Sequence, residues 1–354
     1  MQDAYSKIGV DSFQEESSMK KLLGWINQTF PFRNGLGKNL LPIGFFANVI
    51  DLGNHMGLAL SMDGVGTKIL VAEKAKKYDT IGIDCIAMNV NDLLCLGAEP
   101  ISFLDYIAVS KIDPDMIEQL AKGFYEGAKQ ANVNIPGGEL AQVKELLHDG
   151  ENSIDLVGTA IGIIQTDKII TGKDICPGDK IIGLPSNGIH SNGLTLARKL
   201  LIDNPNISQP DIMTELLKPT LIYVPYILPL LNTIQIHGMA NITGEGFLNI
   251  LRLDSHVLYK IKYLPPTPSI FTTIQEYGKI PDTEMFKIYN MGIGYVVIVK
   301  AEDLTYAMQT WANLGLIAYE IGEVHPYSKP RIEIEPYQIF SEGEGFTSLE
   351  TKEK

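Results

Sequence analysis

Three cysteines in 354 residues, Cys85, Cys95 and Cys176, are too few and too scattered for a disulfide framework or a cysteine-based zinc module. That scarcity favours a reducing compartment, the cytoplasm by default. Positive charge is short as well: 29 Lys and Arg against 42 Asp and Glu leave a net charge of -13. With no Lys/Arg-rich run, a surface that coats nucleic acid is excluded, and an anionic ligand must be met locally. Long apolar runs are missing too. The most apolar window, LIYVPYILPLL at 221–231, is interrupted by Pro225 and Pro229 and falls well below the ~18 residues a bilayer span needs. No membrane role is expected, and the N-terminal MQDAYSKIGVDSFQEE lacks the basic start and apolar stretch of a secretory signal. Absence of a fixed-period repeat sets solenoids and propellers aside.

What the chain has is alternation of strand and helix patterns. GLALSM (57–62) reads as a strand, and 113–131 reads as a helix capped by Asp113, with Pro114 in its first turn and an apolar stripe of Ile117, Leu120, Ala121, Phe124 and Ala128. IDLVGTAIGII (154–164) reads as a buried strand. The polar stretch 165–178 marks a boundary between a first domain, 1–166, and a second, 172–345. In the second, KIIGLP and YVVIV are strands; SNGLTLARKLLID and 301–315 are helices, the latter with Leu304, Met308 and Trp311 on one face. The Pro-rich segment 254–285 reads as a loop-rich connection. Two mixed α/β domains of the α+β type result.

Chemistry concentrates in glycine-bearing turns. In DGVGTK (63–68), Gly64 and Gly66 let backbone amides approach a ligand, Lys68 offers a point charge for phosphate, and Asp63 offers a ligand to a hard cation. The spacing is neither a Walker A loop nor a dinucleotide fingerprint. IGIDCIAMNVNDLLCLGAEP (81–100) places Asp84, Asn91 and Asp92 along one stripe of an otherwise apolar helix. Buried carboxylates need partners; structural pairing with lysines is one answer, and magnesium held between Asp63 and Asp92 is the sharper one. NIPGGEL adds Glu139 behind Gly137 and Gly138. In LPSNGIHSNGLTLAR, Ser191 and Asn192 stand where a helix begins, as caps beside an anion site, and His190 precedes them. NITGEGF and YNMGIGY supply two more glycine turns. Together these turns predict one phosphate-and-metal site built from both domains, with Arg198 or Arg252 adding positive charge.

The ordered set Tyr5 to Asp11 (Y-x-x-x-G-V-D), DGVGTK, IGID..A.NVNDLL..GAEP, FLDY, GGE, HSNG, LLKPT, ITGEGF and NMGIG resembles the phosphoribosylformylglycinamidine cyclo-ligase, or AIR synthetase, family. The resemblance runs from about residue 5 to 325. It implies N-terminal domains pairing into the β-barrel of a homodimer, and ATP with Mg2+ as cofactors. It implies formylglycinamidine ribonucleotide as the small-molecule substrate, cyclised to aminoimidazole ribonucleotide through an iminophosphate in purine biosynthesis. Asp63, Asp92 and Glu139 become the metal ligands on this reading. Gly64, Gly66, Thr67, Lys68, Asn91, Gly138, Ser191, Asn192, Gly193, Gly244 and Gly246 bind ATP and phosphate, and His190 and Lys68 are catalytic. Ring closure needs a group of near-neutral pKa, which singles out His190. Where the family reads GGETAEMPG this chain has GGELAQVKE, and Asn241 and Glu245 replace a His and a Gly. Those changes keep open a diverged, non-catalytic nucleotide-binding protein, or another ATP-dependent phosphotransferase of the superfamily.

Overall fold

The computed structural model describes residues 12–147, 153–202, 204 and 209–349. The Tyr5 to Asp11 motif lies outside them. The first half of the chain forms one sheet from β1 (Asn48–Gly53), β2 (Met56–Gly64), β3 (Glu99–Val109), β4 (Asn134–Gln142) and β5 (Ile154–Gln165), in the order β1-β2-β5-β3-β4. Only the β3–β4 pair is parallel, and it is bridged by a crossover helix. Among the described residues this half holds the helices α1 (Ser12–Ile26), α2 (Lys68–Ala75), α3 (Ile81–Cys95) and α4 (Pro114–Ala131). As the sequence predicts, the Asp113 carboxylate caps α4, accepting from the amides of Asp115 and Met116. Ala121 leaves the expected stripe and stays exposed, while Leu120 and Phe124 are buried.

The second half is an eight-stranded sheet of β6 (Lys180–Pro185), β7 (Ile236–Asn241), β8 (Val257–Ile261), β9 (Ile293–Val299), β10 (Tyr319–Pro326), β11 (Arg331–Ile334), β12 (Ile339–Ser341) and β13 (Thr347–Ser348), ordered β13-β12-β11-β8-β10-β6-β9-β7. Helices α5 (Leu194–Ala197), α6 (Gln209–Leu216), α7 (Val224–Leu231), α8 (Ser269–Gly278), α9 (Asp282–Ile288) and α10 (Leu304–Asn313) accompany it. Segment 254–285 is therefore not a loop: it holds β8, α8 and the start of α9. Two of its prolines sit just before helices, Pro268 ahead of α8 and Pro281 ahead of α9, where a missing N–H costs nothing. The helix expected after SNG is one α-turn followed by a π-turn, Arg198–Ile202. The GGE stretch is not a turn either, but the middle of edge strand β4.

Helix α3 is buried almost all round because it lies between the two sheets, packed on β2 and β5 on one side and on β7 on the other. Its polar stripe faces the second half. There Asp84 Oδ1 accepts from Lys68 Nζ at 2.9 Å, from the Thr220 amide at 2.7 Å and from Thr220 Oγ1 at 2.6 Å. Lys68 also donates to the Lys218 carbonyl at 2.6 Å. Seven residues beyond Asp84, Asn91 donates to the Leu221 carbonyl and accepts from the Tyr223 amide. The stretch 218–223, which contains the end of LLKPT, is thus held to α2 and α3 by side chains that are themselves fully buried.

Both members of the Lys68–Asp84 pair are wholly inaccessible, so removing one leaves an uncompensated buried charge. Asp84→Asn is expected to destabilise the protein by about 3–5 kcal/mol. Lys68→Met combined with Asp84→Leu should recover part of that loss, since no charge is then stranded. Urea denaturation of the two variants checks both statements; equal losses would show that the charges are not coupled.

Candidate functional site

A cavity of about 400 Å³ opens between the two halves. It is lined by the DGVGT turn (Asp63, Gly64, Gly66, Thr67), by the turn ahead of α5 and its first residues (Ser191, Asn192, Gly193, Thr195) and by Thr243 and Gly244 of the ITGEGF stretch. Eight residues expected from the sequence meet here: Asp63, Gly64, Gly66, Thr67, Ser191, Asn192, Gly193 and Gly244. The two sides touch across it, Thr67 Oγ1 lying 3.0 Å from Thr195 Oγ1. Gly193 has φ +69° and an added Cβ would fall 2.2 Å from the Tyr289 ring, so only glycine lets this turn close. Tyr289 fixes it further by donating to the Gly193 carbonyl. No side chain caps α5: its N-cap is Gly193, and Ser191 Oγ pairs instead with Thr220 Oγ1 at 3.2 Å. The expected Ser191 and Asn192 caps are therefore not formed.

Several expected residues lie elsewhere. Lys68 does not face the cavity; its charge is committed to Asp84 and a carbonyl, and burial lowers its pKa against the opposing pull of Asp84. Asn91 has both polar atoms committed to 221–223. Gly246 is buried at the head of a 3-10 turn, and Gly138 lies on β4. Asp63, Asp92 and Glu139 do not gather: among the described residues the one group of three metal-type donors within 4.8 Å of one another is a different one. Glu139 sits exposed beside Tyr106 on the open face of the first sheet, whereas Asp63 occupies the face toward α3. Sequence spacing carries no information on which face an edge strand presents.

His190 is also a correction. It is 2% exposed with φ +59°, and its Nε2 accepts from the Asn187 amide at 3.0 Å and, more loosely, from the Leu221 amide. Burial and the nearby Lys68 push its pKa down to about 3. A ring so held is neutral at physiological pH and positions the 187–191 turn against 221; it is not the near-neutral acid or base the sequence suggests. The NMGIG motif serves the same packing, since a Cβ on Gly294 would stand 2.6 Å from the His190 ring and 2.2 Å from the Tyr223 hydroxyl.

A near-neutral group does exist. The Asp92 carboxyl accepts from Asn241 Nδ2 at 2.8 Å, and desolvation pushes its pKa up to about 7, with the Asn241 bond and Arg252 opposing and Asp63 reinforcing. Arg252 itself donates to the carbonyls of Gly44 and Phe45 and stacks on Phe46, so it clasps the first half rather than facing the DGVGT turn. Arg198 ends α5. Asp105, within the FLDY motif, is a functional candidate that the sequence pattern does not single out. It pairs across Gly158 of β5 with Asp63, and burial raises the pKa of both carboxyls. They flank Gly158 on one sheet face with the Phe103 ring over the glycine between them, and of the two only Asp63 lines the cavity. The strand register that joins them spans three strands and leaves no local signal.

With this geometry established, comparison places the chain in a class. Residues 46–164 match "AIR synthase related protein, N-terminal domain" and residues 176–350 match "AIR synthase related protein, C-terminal domain". Its fold is similar to that of the Thermus thermophilus protein tt0281, at TM-score 0.61 and 18% identity, covering 86% of this chain and 93% of that one. A structure described as AaThiL complexed with AMPPCP and TMP gives TM-score 0.61 at 16% identity over 89% and 92% of the two chains. More specifically, the chain is 46% identical over 340 residues to the phosphoribosylformylglycinamidine cyclo-ligase of Thermococcus kodakarensis, covering 95% of this chain and 98% of that one. The Methanocaldococcus jannaschii cyclo-ligase is 44% identical over 329 residues, 90% of this chain and 91% of its own. The chain belongs to the phosphoribosylformylglycinamidine cyclo-ligase family.

The two shifted groups give opposite pH signatures. His190, depressed to about 3 from 6.5, stabilises the fold fully above the unfolded value, and that contribution is lost as pH falls from about 6.5 toward 3. His190→Ala should lower stability at pH 7 and flatten the acid limb. Asp92, raised to about 7 from 3.8, does the reverse: stability present below about 4 is lost as pH rises through 7. Asp92→Asn is therefore expected to raise stability at pH 8 by about 1 kcal/mol or more, while catalysis collapses. Thermal melts from pH 4 to 8 decide it, and an Asp92→Asn melting curve parallel to the parent's would remove the burial argument.

Proposed function

We propose that the chain closes the imidazole ring of aminoimidazole ribonucleotide from formylglycinamidine ribonucleotide, using ATP and releasing ADP and phosphate in purine biosynthesis. The observation that carries this reading is the cavity in which the DGVGT and SNG turns of the two halves meet across the Thr67–Thr195 contact, in a chain 46% identical over nearly its whole length to a cyclo-ligase. A formyl amide oxygen leaves poorly. Transfer of the γ-phosphoryl group of ATP to that oxygen gives an iminophosphate; the amidine nitrogen then attacks the same carbon, phosphate departs with the oxygen, and a proton is lost to give the aromatic ring.

The chain's contribution is positioning and charge compensation. The turns at 64–67 and 191–193 offer backbone amides to phosphate oxygens, with Thr67 and Thr195 hydroxyls beside them. Asp63, the carboxylate that lines the cavity, would help to hold Mg2+, which would neutralise developing negative charge on the phosphates. Asp92, held by Asn241 and pushed by burial to about 7, would be the acceptor for the proton lost on ring closure in place of His190. The relatives' names and the neighbour in complex with AMPPCP support the nucleotide assignment by likeness. We place the two working domains at 1–166 and 172–345 and the reaction in the cytoplasm.

The first sheet argues for a homodimer. Its α3 face carries Val49, Ala59, Phe103, Leu156 and Ala160, all fully buried. Its other face leaves Met62, Leu104 and Tyr106 exposed, with Leu58, Leu60 and Ile163 only partly covered. An apolar sheet face of this kind seeks a cover, and a second copy closing a barrel would supply it. Tyr106→Glu should then shift the protein to monomer in sedimentation, and an unchanged mass would exclude this face.

The reaction itself is tested by the fate of one atom. Substrate labelled with heavy oxygen in the formyl group is expected to yield one labelled phosphate per ring, with ATP and Mg2+ both required. Normal product with unlabelled phosphate would discard the iminophosphate route; bound ATP with no product would favour the non-catalytic reading.

A further inference from the structure

At the far end of β6 from the cavity, the turn Cys176-Pro177-Gly178-Asp179 meets the first residues of β7. Asp179 Oδ2 accepts from the Cys176 amide at 2.9 Å and lies 2.7 Å from His237 Nδ1, while Cys176 Sγ approaches Asp179 Oδ1 at 3.5 Å. Asp179 and His237 are 2% and 4% exposed; the thiol belongs to an exposed residue. Sulfur, nitrogen and oxygen donors all lie within 4.8 Å of one another, the single such group among the described residues. None of the three is used by the ring closure proposed above.

We propose that Cys176, Asp179 and His237 form a binding site for a borderline divalent transition ion of the zinc type, separate from the nucleotide site. The donor set of thiolate, imidazole and carboxylate selects such an ion over magnesium or calcium, which take oxygen ligands. Spacing agrees. Bonds of about 2.3 Å to sulfur and about 2.0 Å to oxygen put tetrahedral donors about 3.5 Å apart, which is the Sγ–Oδ1 separation found here. On the nitrogen side the 2.7 Å contact opens to about 3.3 Å as the ion takes the place of the proton between His237 and Asp179, the neutral ring carrying its proton on Nε2 instead, and the thiol releases its own. Hydrogen bonding of Asp179 to the Cys176 amide and to His237 would need no sulfur at position 176. The exposed side of Cys176 leaves the fourth position to water. Six residues of β6 at about 3.3 Å each keep the site roughly 20 Å from the cavity, and the turn that carries Cys176 and Asp179 is locked to β10 by the Gly178 and Val324 amides.

Cobalt titration of the chelator-treated full chain under reducing conditions tests this. One equivalent of Co2+ should produce a near-ultraviolet thiolate-to-cobalt charge-transfer band that Zn2+ bleaches. Cys176→Ser should abolish the band with ATP turnover unchanged, and His237→Gln should weaken cobalt binding at least tenfold. Because Cys176 is exposed, its replacement keeps the fold. Absence of the band at millimolar cobalt overturns the proposal, as does a band that survives Cys176→Ser and so belongs to Cys85 or Cys95.

Discussion

Everything at the site depends on the buried knot of Lys68, Asp84 and Thr220. Taking a lysine and an aspartate out of water costs several kcal/mol for each ion, and their attraction alone offsets it poorly. Here extra donors make up the difference: Asp84 receives the Thr220 amide and hydroxyl as well as Lys68, and Lys68 reaches the Lys218 carbonyl. Those bonds exist only when α2 and α3 of the first half are docked on the 218–223 stretch of the second. The pair is thus less a source of stability than a condition on alignment. A slipped docking leaves two bare charges in the interior, and the turns that line the cavity sit directly beside the residues so aligned.

On the proposed function, this arrangement also bears on how a chain of net charge -13 would meet a polyanion. The lysine of DGVGTK is consumed in building the interface, so on the proposed function phosphate recognition would fall to backbone amides and hydroxyls, which carry no charge to bury. The acids respond in the opposite way. Asp63, Asp105 and Asp92 all have carboxyl pKa values raised by burial, so in each the neutral form is favoured unless a cation or donor comes to meet the charge. The proton-transfer role that the sequence suggests for His190 passes, on the proposed function, to Asp92, while the histidine orders the turn.

The site's backbone is legible in the sequence, and its side-chain partners are not. The glycine turns lining the cavity, the α4 cap and the polar stripe on α3 are local patterns, and each stands where spacing puts it. What the stripe bonds to is not local: Asp84 to Thr220 and Asn91 to Tyr223 cross more than a hundred residues. A lysine beside two glycines therefore reads as a phosphate ligand, although burial makes it a structural tie across the interface. Segment 254–285 differs from expectation for another reason. Proline signals a break from sequence alone, whereas Pro268 and Pro281 each stand one residue ahead of a helix and start it.

Glu139 shows where a single chain stops being the right unit of argument. The strand that carries it pairs parallel to β3 and, among the described residues, has no neighbour on its other side, and every residue along it is exposed or half-buried. Edge strands are normally blunted by charge, proline or a covering element, and this one has Pro136 and Glu139 but also the exposed Leu140. Its register sets Glu139 beside Tyr106, on the apolar face that the first sheet turns away from α3. A carboxylate at the rim of an apolar face costs little while that face is wet, and more when it is covered. On the homodimer proposed above, Glu139 would be drawn into a partly dry environment only on pairing, where a cation or a donor from across the interface must compensate it. Its absence from the cavity of one chain is then a consequence of sheet geometry, and the altered residues that follow it, Leu140 and Gln142, fall on the same edge strand.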